Sequence, residues 1–148
     1  MCKLKALIQR VKRASVTIAG ELFSSIDVGL LIFLGVEKGD AEENAQKLCD
    51  KILNLRIFED ENEKMNYSLK DIKGDLLVVS QFTLCGDCKK GTRPSFDRAE
   101  LPDRANELYE YFVSLAKKSQ LKVETGKFAA MMDVSLINDG PVTFMVEK

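Results

Sequence analysis

At 148 residues, with 45% hydrophobic and 30% charged side chains, the sequence has the composition of an ordinary folded domain, without the bias of disordered or collagen-like chains. The 22 lysines and arginines nearly balance 23 acids, giving a net charge of −1, so any contact with a polyanion must come from local patches. There is no histidine, which excludes Ser-His-Asp and Cys-His catalysis and zinc sites that depend on imidazole.

A first basic run, Lys3, Lys5, Arg10, Lys12 and Arg13, contains no acid. It lacks the continuous apolar core and cleavage site of a secretory signal, so a cytoplasmic location is expected. Leu4, Ala6 and Ile8 alternate with more polar neighbours, as do Val16 and Ile18 after Ala14, and predict strands; Gly20-Glu21 can turn the chain into Leu22-Phe23. The apolar stretch 28–36 is too short to cross a bilayer and reads as a buried strand, so no membrane partner is expected. Asp40, with Glu43 three residues on, is placed to cap a helix whose apolar stripe is Ala45, Leu48, Cys49, Ile52 and Leu55. Ile57-Phe58, a charged turn over 59–64 and residues 65–69 suggest a hairpin or a loop, followed by a buried strand over 75–82.

A second basic stretch follows, with Lys89, Lys90, Arg93 and Arg98 and with Asp97 nearby to offset them. Both basic stretches read equally well as solvated surface or as phosphate contacts. Pro102 suits the first turn of a second helix with the stripe Ala105, Leu108, Tyr109, Phe112, Leu115 and Ala116. Strands are predicted at Val123–Thr125, 131–137 and 142–146. No linker, repeat or low-complexity tract divides the chain. The expectation is a single α+β domain over 1–148, a largely antiparallel β-sheet or barrel with two main α-helices.

Three segments could carry chemistry. Cys85 and Cys88 have the spacing of half a zinc site or of a thiol redox pair, but Cys2 and Cys49 lie far off in sequence, and cytoplasmic thiols stay reduced. Glycines 86 and 91 lie among cations, yet the chain has no P-loop pattern. Asn138-Asp139-Gly140-Pro141 is a strong turn signal, since Asn and Asp bond their own backbone, Gly admits positive φ and Pro fixes the exit. Its X-Pro bond is open to cis as well as trans, the two differing by only about 0.5–1 kcal/mol. Ser80-Gln81-Phe82-Thr83 closes the buried strand. Each of these last two fits a plain structural role as well as a functional one.

Together they resemble the D-aminoacyl-tRNA deacylase family. The likeness runs along essentially the whole chain, through Ile8-Gln9-Arg10-Val11, Ala14-Ser15-Val16-Thr17, Gly29-Leu30-Leu31, Leu34-Gly35-Val36, Lys51-Ile52-Leu53-Asn54-Leu55-Arg56-Ile57-Phe58, Ser80-Gln81-Phe82-Thr83-Leu84, Arg93-Pro94-Ser95-Phe96, Lys122-Val123-Glu124-Thr125-Gly126 and Asn138-Asp139-Gly140-Pro141-Val142-Thr143. The resemblance implies hydrolysis of the ester of D-aminoacyl-tRNA, and of glycyl-tRNA, with rejection of L-aminoacyl groups and no cofactor or metal.

It also implies a homodimer in which a cis Gly140-Pro141 enters the partner's site, facing that subunit's Ser80, Gln81, Phe82 and Thr83. Asn138, Gly140, Pro141, Val142 and Thr143 would form the selecting segment, with carbonyls that bond the α-amino group of a D-residue and leave no room for an L side chain. The Phe82 N–H, and that of Thr83, would stabilise charge on the ester carbonyl, Gln81 would orient the site, and the ribose 2′-OH of the substrate would help activate water. Two departures from the family pattern lie near this pocket: Cys85-Gly86 replace an aromatic and a small residue, and Ala129-Ala130-Met131-Met132 stands where Gly-Ala-Asp-Met is usual. A non-catalytic RNA-binding module is the main rival, and a thiol or zinc protein the third.

Overall fold

The computed structural model describes residues 3–148. Cys2 lies outside them. The chain opens with one long strand, β1 (Lys5–Ile18), where the sequence suggested two shorter ones. Its apolar phase shifts at residues 12 and 13, which bulge outward and are exposed, so Leu4, Ala6 and Ile8 serve one core while Val11, Ala14 and Val16 serve another. Ala19 and Gly20, both at positive φ (51° and 79°), make the predicted turn into β2 (Glu21–Ile26).

The segment β3 (Gly29–Gly35) continues the direction of β2, so the two together run antiparallel to β1, β2 beside residues 14–18 and β3 beside residues 5–11. The helix α1 (Glu42–Asn54) follows. Its N-cap is Ala41, whose N–H is accepted by Asn44 Oδ1 at 2.8 Å. Asp40 therefore does not cap the helix as its spacing with Glu43 suggested; its Oδ2 instead accepts the Glu37 N–H at 2.7 Å, turning the loop before the helix.

A hairpin forms from β4 (Phe58–Glu59) and β5 (Met65–Tyr67). A short helix the sequence reading did not include, α2 (Leu69–Ile72), has Ser68 and Asp71 as a reciprocal capping box. Then β6 (Asp75–Ser80) pairs parallel to β3, and β7 (Val123–Thr125) parallel to β6. Gly29 is needed here, because a Cβ would sit 1.9 Å from the Asp75 carbonyl oxygen. Between these two strands lies α3 (Pro102–Lys117), opened by its proline as predicted.

The last strand, β8 (Asp133–Glu147), runs along the other side of β1. The sheet is thus largely antiparallel with a parallel edge of β3, β6 and β7, and it curls until the Ser24 hydroxyl donates to the Thr125 carbonyl at 2.6 Å. Both faces of β3 and β6 are covered, which explains their unbroken apolar runs. Leu30, Ile32, Leu34, Leu76 and Val78 face α1 and α3, whereas Leu31, Leu77 and Val79 fill the curl of the sheet. The architecture is the expected α+β fold. Among the described residues no helix is long and apolar enough to cross a membrane.

Candidate functional site

Ser80 is the last residue of β6, held opposite Leu34. The Gln81 N–H donates to the Leu34 carbonyl at 2.8 Å, and there the strand stops, two residues earlier than the sequence suggested. Phe82–Cys85 forms a 3-10 turn, in which Leu84 N–H donates to the Gln81 carbonyl and Gly86 N–H to that of Thr83. The first N–H groups of such a turn, those of Phe82 and Thr83, have no partner within it. Phe82 is 57% exposed and Thr83 is exposed beside it, so the segment that carries these two donors lies at the surface. The Gln81 side-chain amide donates to the Thr83 hydroxyl. That contact occupies a lone pair on Oγ1 and removes no proton, so it orders the threonine without activating it as a nucleophile.

The departures from the family pattern fall in two places. Cys85 is buried, its thiol against the Val36 carbonyl at 3.5 Å and pushed up to about 11 by burial, whereas Cys88 is exposed. Gly86 lies beneath Phe96, where a Cβ would meet the ring at 3.0 Å, and Phe96 in turn stacks edge-on against Phe82 with centroids 5.2 Å apart. Ala129 stands at φ 63°, in the left-handed region that favours glycine, at a cost of about 1 kcal/mol or more. Met131 follows, 91% exposed.

Behind the 3-10 turn lies a charged group. Lys5 Nζ is 3.0 Å from Glu37 Oε1, and this carboxylate holds the ammonium above its usual range. Asp40 is buried, and burial pushes its carboxyl up to about 6.

The second predicted segment is neither a hairpin corner nor a break between strands. Residues 139–142 bulge from the continuous β8: Thr143 lies opposite Gln9 and Asn138 opposite Val11, leaving four residues against Arg10 alone. Gly140 has φ 120°, and the Gly140-Pro141 peptide is cis. Asn138 closes the base of the bulge, donating to the Arg10 carbonyl at 2.9 Å and the Val142 carbonyl at 3.0 Å, while its Oδ1 accepts from the Thr143 hydroxyl at 3.2 Å. Val142 is buried; Gly140 and Pro141 are exposed.

Arg10, expected from the sequence only as a member of the first basic run, is buried against this bulge instead. Only 3% exposed, it spans from the Ile57 carbonyl (2.8 Å) and Glu59 (3.5 Å) to the carbonyl and carboxylate of Asp139 (3.3 and 3.4 Å). Its planar fork braces the bulge from inside, a task for which a lysine has the wrong shape. The signal was present: after Leu4, Ala6 and Ile8, the next inward position of the strand is an arginine.

Each segment is internally well ordered, but one chain does not bring them together. Asp139 and Arg10 line a surface cleft with Asp75, at the start of β6, and Ser80 ends that strand about 17 Å away at 3.3 Å per residue.

Comparison with known proteins bears on this arrangement. The D-Tyr-tRNA(Tyr) deacylase family matches residues 7–147. The D-aminoacyl-tRNA deacylase of Aquifex aeolicus (strain VF5) is 60% identical over 145 residues, 98% of each chain. A solved structure titled c-Myc DNA Unwinding Element Binding Protein superimposes with a TM-score of 0.92 at 41% identity, covering 97% of this chain and 98% of that one. A second, described as a probable eukaryotic D-amino acid tRNA deacylase, shares the fold at a TM-score of 0.86 and 16% identity. With a match over almost its entire length, the chain belongs to the D-Tyr-tRNA(Tyr) deacylase family.

Proposed function

We propose that this protein hydrolyses the ester linking a D-amino acid to tRNA, releasing free tRNA and the D-amino acid, and that each active site is assembled from two copies of the chain. Family membership supports the reaction. The observation that carries the two-chain reading is the separation of the 139–142 bulge from the 80–83 segment along β6. A braced, exposed loop and an exposed segment carrying two backbone donors, at opposite ends of one sheet, complement each other only across an interface.

The chemistry then follows from the groups at hand. With no histidine in the chain, and with Thr83 receiving a proton donor rather than facing a base, water is the nucleophile, activated with the help of the 2′-OH of the substrate's terminal ribose. As water adds to the ester carbon, negative charge builds on the carbonyl oxygen and is met by the N–H groups of Phe82 and Thr83. A single donor of this kind is worth about 3 kcal/mol. Collapse of the adduct expels the ribose 3′-oxygen and frees the carboxylate of the amino acid. Ser80 and Gln81 hold the 3-10 turn in register.

Selection belongs to the partner's bulge. The carbonyls of Gly140 and Pro141 accept from the α-amino group of a D-residue, and an L side chain would collide with the same backbone. Rejection that combines collision with an unpaired buried amine exceeds what the fit of one methylene provides. Val142, Thr143 and Asn138 set the position of those carbonyls, and glycine, with no side chain to collide, is accepted. The fixed groups contact only atoms common to all amino acids, so side-chain identity is not read. Incubation of the purified protein with D-tyrosyl-tRNA and L-tyrosyl-tRNA tests this: rapid ester loss from the D form alone is expected. Equal rates on both, or no loss from the D form, would overturn it.

A further inference from the structure

Of the two basic stretches in the sequence, the fold withdraws two cations from the first and none from the second. In the first, Lys5 is tied to Glu37 and Arg10 is buried behind the 139–142 bulge, which leaves Lys3, Lys12 and Arg13 at the surface. In the second, the chain from Asp87 to Ser95 closes on itself. Asp87 N–H donates to the Ser95 carbonyl at 2.7 Å and Ser95 N–H to that of Asp87 at 2.9 Å, so residues 88–94 form a loop that is exposed throughout.

Lys89, Lys90 and Arg93 sit on this loop and Arg98 just beyond it. Among the described residues none of the four is in an ion pair. The acid at the base of the loop, Asp87, directs its Oδ1 to the Lys89 N–H at 2.9 Å, inside the turn. Gly91, at φ 63°, bends the tip.

The loop is also anchored to the reacting segment. It begins one residue after Gly86, which closes the 3-10 turn of Phe82, and on its far side Phe96 packs on both Gly86 and the Phe82 ring. A set of unpaired cations is therefore mounted on the element whose backbone N–H groups would meet the ester. An ester at the end of tRNA is approached only with its phosphodiester backbone close by, and cations without partners are the groups that replace condensed counterions there.

We propose that the 87–95 loop is the principal tRNA-backbone contact of this protein, with Lys89, Lys90 and Arg93 engaging phosphates of the acceptor end adjoining the scissile ester. The proposal rests on the deacylase reading for its ligand and adds where the RNA beyond the terminal nucleoside is held. These contacts are independent of sequence, and they act on the RNA body rather than on the ester.

The test compares two substrates, D-tyrosyl-tRNA and D-tyrosyl-adenosine, which carries the ester without the acceptor stem. The enzymes are wild type, the charge-reversed Lys89→Glu/Lys90→Glu/Arg93→Glu and the neutral Lys89→Gln/Lys90→Gln/Arg93→Gln. Each phosphate contact contributes roughly 0.7–0.9 to the slope of log affinity against log salt, so three contacts give a slope of about 2 or more. The expected result is that wild-type kcat/KM on the tRNA falls with salt at that slope while the adenosine ester shows almost none.

In both variants the slope on tRNA should flatten by about 2, and the ratio of tRNA to adenosine-ester kcat/KM should fall by about tenfold or more at low salt. An unchanged ratio and slope overturn the proposal. So does a loss that is equal on both substrates in both variants, since it places the cations in the support of the site and not on the RNA. Absence of hydrolysis with either substrate by the wild type contradicts the deacylase reading instead. In that case, binding of uncharged tRNA, measured by fluorescence anisotropy against salt, still decides the role of the loop.

Discussion

Asp40 shows how one residue can be placed correctly by its neighbours and still be given the wrong task. Its position before a helix, three residues ahead of an acid, suggested an N-cap, yet the cap is one residue later and Asp40 turns inward to accept the Glu37 N–H. Only one carboxylate oxygen is satisfied; Oδ1 is buried without a partner among the described residues. Burial of a carboxylate so poorly solvated raises its pKa to about 6. Between about pH 4 and pH 6 the folded chain holds a proton that the unfolded chain has lost, so the contribution of Asp40 to stability falls as pH rises and is least favourable by pH 7. Asp40→Asn retains an acceptor for Glu37 and carries no charge. It should raise stability at pH 7 by on the order of 1–3 kcal/mol relative to wild type, and by little at pH 4. Urea midpoints at the two pH values measure this, and a variant equally destabilised at both would contradict it. Nothing in the local sequence separates a capping aspartate from a loop-closing one, because both require the same residue a few positions before a helix.

Among the elements, strands of alternating pattern were legible wherever one face was buried, as in β1, and so were both long helices from their apolar stripes. The sequence could not show that 131–137 and 142–146 belong to one strand, since the turn chemistry of residues 138–141 suits a corner as well as a bulge. What decides for the bulge is the partner strand: β1 continues past it, and Arg10 fills the space that three extra residues create. The bulge thus depends on a residue some 130 positions away, which no local pattern reveals. Arg10→Lys keeps the charge but not the fork that joins Ile57, Glu59 and Asp139. We expect kcat/KM on D-tyrosyl-tRNA to fall about tenfold or more, equivalent to at least ~1.4 kcal/mol of lost positioning, with the preference for D over L reduced as well. Unaltered selectivity in a variant of normal stability would remove Arg10 from the account.

For the whole molecule, the outer edge of β8 is unpaired among the described residues. It is 15 residues long and presents Ile137, Phe144 and Met145 to the surface, an edge that natural proteins protect by pairing or covering. The two segments that resemble the family's active site were both legible from sequence as motifs, and the resemblance implied that they meet. Their spatial separation within one chain was not legible, because distance along a sheet depends on register and pairing that the motifs do not encode.

A mixed-subunit experiment tests the two-chain site directly. One variant, Gly140→Val, obstructs the bulge, where a Cβ would lie 2.7 Å from Val142 and 3.0 Å from Arg10; the other, Phe82→Pro, deletes a backbone donor. Each alone should be inactive on D-tyrosyl-tRNA. Unfolded and refolded together as equal mixtures, they should regain about one quarter of the wild-type activity, since half of the dimers combine the two chains and each of those holds one intact site. Mixtures as inactive as the separate variants would contradict a site shared between chains.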